Sequence, residues 1–498
     1  MGGRRGPPRP LGCVRSWSAG QAQCSSAAVG AGSSRGRWRA CGVHRAGDCC
    51  ARTRRCCVTP FDPAMATGRR LLLTDLLLVL FGISSWLAVN GIWVELPLLV
   101  AALPEGWTLP SYLSVIVQLA NVGPLLYTLL RYRLLRRSTR LDSLVVYGML
   151  VTGAAACFLS ALFWQRTSTV AGVEHSTALF VLLFFIALVD CTSSVVYVPF
   201  TARFGSRYLV SYMVGEGLSG LLPSLVALAQ GVGGNAECVN SSAGINGTFL
   251  TPAPLKPRFP VAGFFYFLFA MMALSCVAFA LLLHLPRLEA SRERGSPPSS
   301  DASDASPRGG SPTRLYAVEA PAPAPAAPVW RWRSLLPLLV LQALISLLAN
   351  GFLPSVQSYS VLPYGNLAFH LVATLSLMAN PAACLLLFLL PVRRAAVAAG
   401  CALLGGLCAV YLLLTAAESP APPLQGTAAG EALVVLGWVL FVGLTTYAKV
   451  GIAGLLRPWG GSALFWYGAA TQAGSLVGAV AAFLAVNVFN LFTGYYPC

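Results

Sequence analysis

The chain of 498 residues is 56% hydrophobic and only 10% charged, whereas a soluble domain carries about a quarter charged residues. Apolar runs of about 20 residues, enough to cross a hydrocarbon core of ~30 Å, recur along it and exclude an ordinary soluble fold. The net charge of +17 would suit nucleic-acid binding in a soluble protein, but the basic residues sit between apolar runs, so the expected partner is the lipid bilayer and no nucleic acid.

Residues 1–64 hold eleven of the 34 basic residues, against Asp48 and Asp62 as the acids. They also hold seven of the fifteen cysteines, without histidines at zinc-ligand spacing, so no metal site is expected. The segment reads as a disordered or non-native extension with Met65 as the working start. An Arg-rich transit peptide is the alternative.

From there the apolar runs predict spans near 71–92, 111–130, 143–164, 177–199, 209–231 and 261–285. After a Ser/Pro/Ala-rich stretch they resume near 334–352, 367–390, 396–416, 432–455 and 462–489. The fold expected is therefore an all-α polytopic membrane protein of about 11 transmembrane helices. A six-helix bundle (65–285) and a five-helix bundle (334–498) are joined by a disordered cytoplasmic linker (286–333). Arginine and lysine in alternate loops number 19 on one side and 3 on the other, which predicts a cytoplasmic N-terminus and an extracellular C-terminus. The sequons at Asn240 and Asn246 fall in the 232–260 loop that this topology places outside, where both are expected to be glycosylated. Cys238 lies on the same side as Cys498, and a disulfide and free thiols both stay open.

The halves echo one another. Asn90-Gly91 in the first span is followed by Asn121, and Asn350-Gly351 in the seventh by Asn380, offset by about 260 residues. Gly215-Glu216-Gly217-Leu218-Ser219 likewise lies over Thr471-Gln472-Ala473-Gly474-Ser475. Both halves begin on the cytoplasmic side, so this is a parallel duplication, the plan of transporters whose bundles rock about a midplane site. Chance likeness between apolar helices is the alternative.

A polar side chain at bilayer depth costs about 2.5–3.5 kcal/mol and so needs a partner or a wet cavity. Asn90, Glu95, Gln118, Asn121, Asp190, Thr192, Ser193 and Glu216 in the first half, and Asn350, Gln357, His370, Asn380, Lys449 and Gln472 in the second, are the candidates. The asparagines also suit helix–helix glue. Glu95, before Pro97 at the end of the first span, also suits water. Lys449 suits either a structural pair with Asp190 or a substrate contact. Asp190, Glu216 and His370 are candidate pH sensors, although a lone histidine on a helix suits packing equally. The Gly-x-Gly-x-x-Gly run at 215–220 follows no strand and reads as close helix packing rather than a dinucleotide site. There is no Walker motif, metalloprotease pair or Gly-x-Ser-x-Gly elbow, so an enzyme is not expected.

Ser85-Trp86 followed by Val89-Asn90-Gly91-Ile92-Trp93-Val94-Glu95-Leu96-Pro97, then Leu103-Pro104-Glu105-Gly106-Trp107 and Leu109-Pro110-Ser111-Tyr112-Leu113, resembles the first-helix signature of the riboflavin transporters, solute carrier family 52. The run Asn350-Gly351-Phe352-Leu353-Pro354-Ser355-Val356-Gln357-Ser358-Tyr359 resembles the second-half signature, and the likeness extends from about Leu71 to Asn490. The stretches Gln118–Leu125, Asp190–Val195 and Gly215–Pro223 are similar to a member associated with apical plasma-membrane uptake favoured by mild acidity.

The resemblance implies riboflavin as cargo, with no resident cofactor, carried by alternating access. Trp86, Asn90 and Glu105 match function-sensitive family positions. A flat ring system with a dione edge and ribityl hydroxyls implies aromatic faces from Trp86, Trp93, Tyr112, Tyr359 and Tyr447. It implies polar contacts from Asn90, Asn121, Thr192, Glu216, Asn350 and Gln357. Another flat heterocycle such as a nucleoside, or a receptor rather than a carrier, are the competing readings. The oligomeric state stays open.

Overall fold

The computed structural model describes residues 63–133, 139–201, 206–234, 238–242, 248–252, 255–295 and 332–494. The expectations for residues 1–62, for 296–331 of the linker, for Asn246 and for Cys498 lie outside the described residues.

In chain order the first half comprises α1 (Pro63–Ile83), α2 (Leu87–Ala102), α3 (Leu109–Leu119), α4 (Val122–Arg133), α5 (Thr139–Phe163), α6 (Thr177–Thr201), α7 (Ser206–Gln230) and α8 (Val261–Gly295). Between α5 and α6 lies an antiparallel hairpin, β1 (Ser168–Val170) with β2 (Val173–His175). Between α7 and α8 lies a second, β3 (Cys238–Ser242) with β4 (Thr248–Pro252). The second half comprises α9 (Trp332–Ser346), a π-helical turn at Leu347–Phe352, the short α10 (Leu353–Ser355) and α11 (Gln357–Val361), then α12 (Asn366–Leu389), α13 (Ala395–Ala417), α14 (Ala428–Leu456) and α15 (Gly461–Phe483). A second π-helical turn, Leu484–Val488, follows α15.

Among the described residues ten helical segments are long and apolar enough to cross a membrane, and the bent pair α1–α2 makes an eleventh. Leucines such as Leu385, Leu403 and Leu407 point outward from them, as side chains facing hydrocarbon must.

Two boundaries differ from expectation. The first span does not end near 92: it bends by 52° and continues through α2 to Ala102. The polar residues at the bend explain why it is tolerated. Ser84 and Ser85 return their hydroxyls to the carbonyls of Phe81 and Gly82 at 2.7 and 2.8 Å, satisfying the end of α1. Secondly, α8 runs to Gly295, ten residues into the segment expected as linker, because Leu288, Glu289, Ala290 and Arg292 are good helix formers.

Within the first half α1 packs on α7 and α8, and α5 on α6 and α8. Within the second, α12 and α13 pack on α14, and α9 with its π turn packs on α15. The closest approaches are made by glycine in both. A Cβ on Gly215 would overlap the carbonyl oxygen of Val79, and one on Gly474 or Gly478 that of Ala343 or Leu347. Small residues let backbones touch where no hydrophobic force acts between helices in lipid. The dinucleotide-like run at 215–220 is thus helix packing. The halves meet where α2 and α7 lie against α12, and where α3 lies against α15 and α10.

Candidate functional site

On the stretch 84–100, Trp86, Asn90 and Trp93 are the half-buried positions and the others are buried. The spacing of three residues puts Asn90 and Trp93 on one stripe of α2, with Trp86 just before its start, so this is the face left for a ligand. Asn90 faces Gly220 of α7, where a Cβ would stand 3.4 Å from its side-chain nitrogen and 3.7 Å from the carbonyl oxygen of Leu377 on α12. Asn90 therefore stands where α2, α7 and α12 converge, at the junction of the halves.

Half-buried Glu216 lies on α7 next to Gly217, whose α-carbon faces the ring of Pro381 on α12. From the other half comes Asn350, in the π turn. Its amide nitrogen donates to Ser475 Oγ at 3.1 Å, and its carbonyl accepts from Lys449 Nζ at 3.1 Å. Single π turns in α-helices often mark functional positions, and here the turn lies at the residue that echoes Asn90. In both halves the first helix is thus interrupted beside its asparagine.

Asp190 has a different occupation. Trp86 precedes α2 without a side-chain cap, and Asp190 of α6 supplies one, its Oδ2 accepting from the Val89 N–H at 2.9 Å. A carboxylate at a helix N-terminus satisfies an orphan donor and complements the helix dipole. Ser193 adds a bond to the Ser85 carbonyl at 3.0 Å. The alternative that Lys449 pairs with Asp190 is overturned: the lysine meets Asn350, and the aspartate is consumed at the bend. Glu95 does not face water either. It is 1% exposed and accepts from Gln230 Nε2 at 2.9 Å, because α2 continues past Pro97 into the helical packing.

Other candidates lie away from this junction. Asn121 marks the break between α3 and α4 and donates to Gln118 at 3.3 Å. Thr192 packs beneath it against Gly123 and returns its hydroxyl to Leu188. Asn380, its echo, is exposed on an unbroken α12, so the duplication has diverged there. His370 is buried on α12, and its Nε2 has no hydrogen-bond partner among the described residues. Tyr447 reaches the Leu390 carbonyl at 2.6 Å near the far end of α12.

Several named residues gather instead at the end carrying the hairpins. Tyr112 stacks on Phe180 at 5.4 Å and stands edge-on to Phe483 of α15 at 5.2 Å. Buried Tyr359 lies between Trp107 (5.7 Å) and Phe492 (5.5 Å). Buried Gln357 opens α11 beside it. Glu105 accepts from the N–H and hydroxyl of Ser176 at 2.7 and 2.6 Å, with His175 Nδ1 at 3.4 Å. Two bonds across the halves had no sequence signal: Ser358 to the Trp107 carbonyl at 2.6 Å, and Asn487 to Ser111 at 2.7 Å.

The chain matches the family model for solute carrier family 52, riboflavin transporter, over residues 70–494. It belongs to that family. It is 44% identical over 463 residues to riboflavin transporter member 3 of Bos taurus, covering 86% of this chain and 98% of that protein. It is 42% identical over 430 residues to member 3-A of Danio rerio, covering 83% and 95%. Member 2 of Homo sapiens is 43% identical over 444 residues, covering 87% and 98%. In fold it is similar to the crystal structure of the nucleoside transporter NupG in a mutant form, with a TM-score of 0.50 over 84% of this chain and 94% of that one, at 11% identity. The family 52 chain is a multi-pass membrane transporter rather than an enzyme.

Proposed function

We propose that this family 52 transporter takes riboflavin into cells across the plasma membrane, apically in epithelia, by alternating access of its 65–285 and 334–498 bundles. The observation that carries the reading is the family match over residues 70–494, supported by relatives named for riboflavin transport. The cargo lies at the junction formed by Trp86, Asn90, Trp93 and Glu216 with Asn350. Asn121 and Thr192, at the α3–α4 break, and Gln357, Tyr359 and Tyr112, at the hairpin end, line the route to it. Riboflavin is cargo, not a resident cofactor.

The N-terminus is cytoplasmic and the C-terminus extracellular, a reading supported by the arginine and lysine distribution and by the sequons at Asn240 and Asn246. Uptake is favoured by acidic outside pH, with Asp190, Glu216 and His370 as the buried groups from which that response is drawn.

The test is uptake of labelled riboflavin at acidic and neutral outside pH, in cells expressing residues 65–498 with and without Asn90→Ala. Saturable uptake that rises at acid pH and is lost in the variant at equal surface level supports the reading. Surface protein without uptake above mock cells overturns it in favour of another flat heterocycle.

A further inference from the structure

We propose that Lys449 is a substrate-contacting residue of the C-terminal half: its ammonium donates to a ring carbonyl of a neutral, imide-bearing heterocycle, Asn350 holds it there, and Glu216 faces the same edge from the other half. The inference rests on the riboflavin reading and deepens it by assigning one edge of the ring.

Both polar atoms of Asn350 meet protein. Its amide nitrogen donates to Ser475 Oγ, itself tied to the Thr471 carbonyl at 2.8 Å, so its carbonyl is left facing Lys449. Asn350 is therefore a positioning residue, and the group it presents is the lysine. An ammonium carries three N–H donors, of which Asn350 takes one. The ion pairs of Arg131 with Asp142 and of His175 with Glu105 do not use Lys449. A cation at bilayer depth met by one neutral amide is costly unless a further acceptor or a wet cavity meets it.

The placement says which acceptor. Helix α12 packs against α14, which carries Lys449, and against α7, which carries Glu216. Gly217, next to Glu216, faces Pro381, three residues before Cys384 on the same helix. Lys449 and Glu216 are therefore carried to α12 from opposite halves. A dione edge presents carbonyl, N–H and carbonyl in a row, and matches an ammonium that donates beside a carboxylate that accepts.

The test compares labelled riboflavin uptake by the full chain, Lys449→Met, Lys449→Arg and Asn350→Ala at equal surface level. Unlabelled lumiflavin, which has the ring and no ribityl chain, and 3-methylriboflavin, which lacks the ring N–H, serve as competitors. The proposal expects Lys449→Met to raise KM about 10- to 100-fold, the loss of one charge-assisted hydrogen bond. It expects the lumiflavin inhibitory concentration to rise by the same factor. Asn350→Ala should move both in the same direction, and Lys449→Arg should recover part of the loss.

An unchanged KM in Lys449→Met overturns the proposal, as does a raised KM with lumiflavin inhibition unaltered, which would put the contact on the ribityl side. If Lys449→Met does not reach the surface, Lys449→Arg decides. A KM and a lumiflavin inhibitory concentration that both rise by at least about twofold support the contact, and both unchanged overturn it. Absence of saturable wild-type uptake would show itself before any variant is compared, and marks failure of the riboflavin reading instead.

Discussion

Glu105 takes both hydrogen bonds that Ser176 can donate, one from the backbone and one from the hydroxyl, at 2.7 and 2.6 Å. This fastens the turn after α2 to the start of α6. Two residues on, the same turn presents the Trp107 carbonyl to Ser358 in the other half. A position that resembles a function-sensitive one in the family is thus explained by the placement of its neighbours rather than by contact with cargo.

Glu105→Lys should accordingly leave the Ser176 N–H without a partner and lower stability by about 1–3 kcal/mol, with uptake falling alongside. Ser176→Ala, which removes one of the two bonds, should cost about 1 kcal/mol. Melting of the purified proteins checks this, and a wild-type melting temperature in Glu105→Lys would contradict it.

The bonds from Ser358 to Trp107 and from Asn487 to Ser111 tie the halves at the hairpin end. Removing either, by Ser358→Ala or Asn487→Ala, should shift the balance towards opening there by about two- to tenfold, the worth of one neutral hydrogen bond. A cysteine placed at Gln357 and labelled with a membrane-impermeant thiol reagent reads the shift. Equal labelling rates in variants and parent would refute the tie.

Gly215 and Gly217 differ in what a methyl would meet. At 215 it overlaps the Val79 carbonyl, backbone that cannot yield, whereas at 217 the nearest atom is Pro381 Cβ at 3.7 Å. Gly215→Ala should lose most surface expression, by overpacking that costs about 1–3 kcal/mol, and Gly217→Ala should keep it. Surface biotinylation of the pair distinguishes them.

Asp190 caps the Val89 N–H inside the protein. Asp190→Asn keeps an acceptor and should fold, while Asp190→Ala leaves a buried donor unpaired at a cost of about 1–3 kcal/mol. In the Asn variant KM should stay within about twofold of wild type if the residue is purely a cap. A larger rise would bring Asp190 into the pathway.

The helices were legible because apolar length is a direct demand of the bilayer, and the second to eleventh spans fall close to the observed segments. The bend at Ser84–Trp86 was not, since serine is neutral in a membrane helix until its hydroxyl is seen returning to Phe81 or Gly82. Asn90 and Asn350 stood out because amides are rare in apolar runs, and both do lie at the junction. What each amide does was hidden. The roles of Asp190 and Lys449 depend on partners 101 and 99 residues away, Val89 and Asn350, which no local pattern specifies.

Gly217 against Pro381 leaves two nearly featureless surfaces facing each other where the halves meet. Interdigitated side chains resist sliding because each must leave its socket before the next is reached. Gly217 carries no side chain and the ring of Pro381 stands in van der Waals range of where a Cβ would be, so there is no socket to leave: at this point tilt of one bundle over the other is left to be resisted by bonds elsewhere.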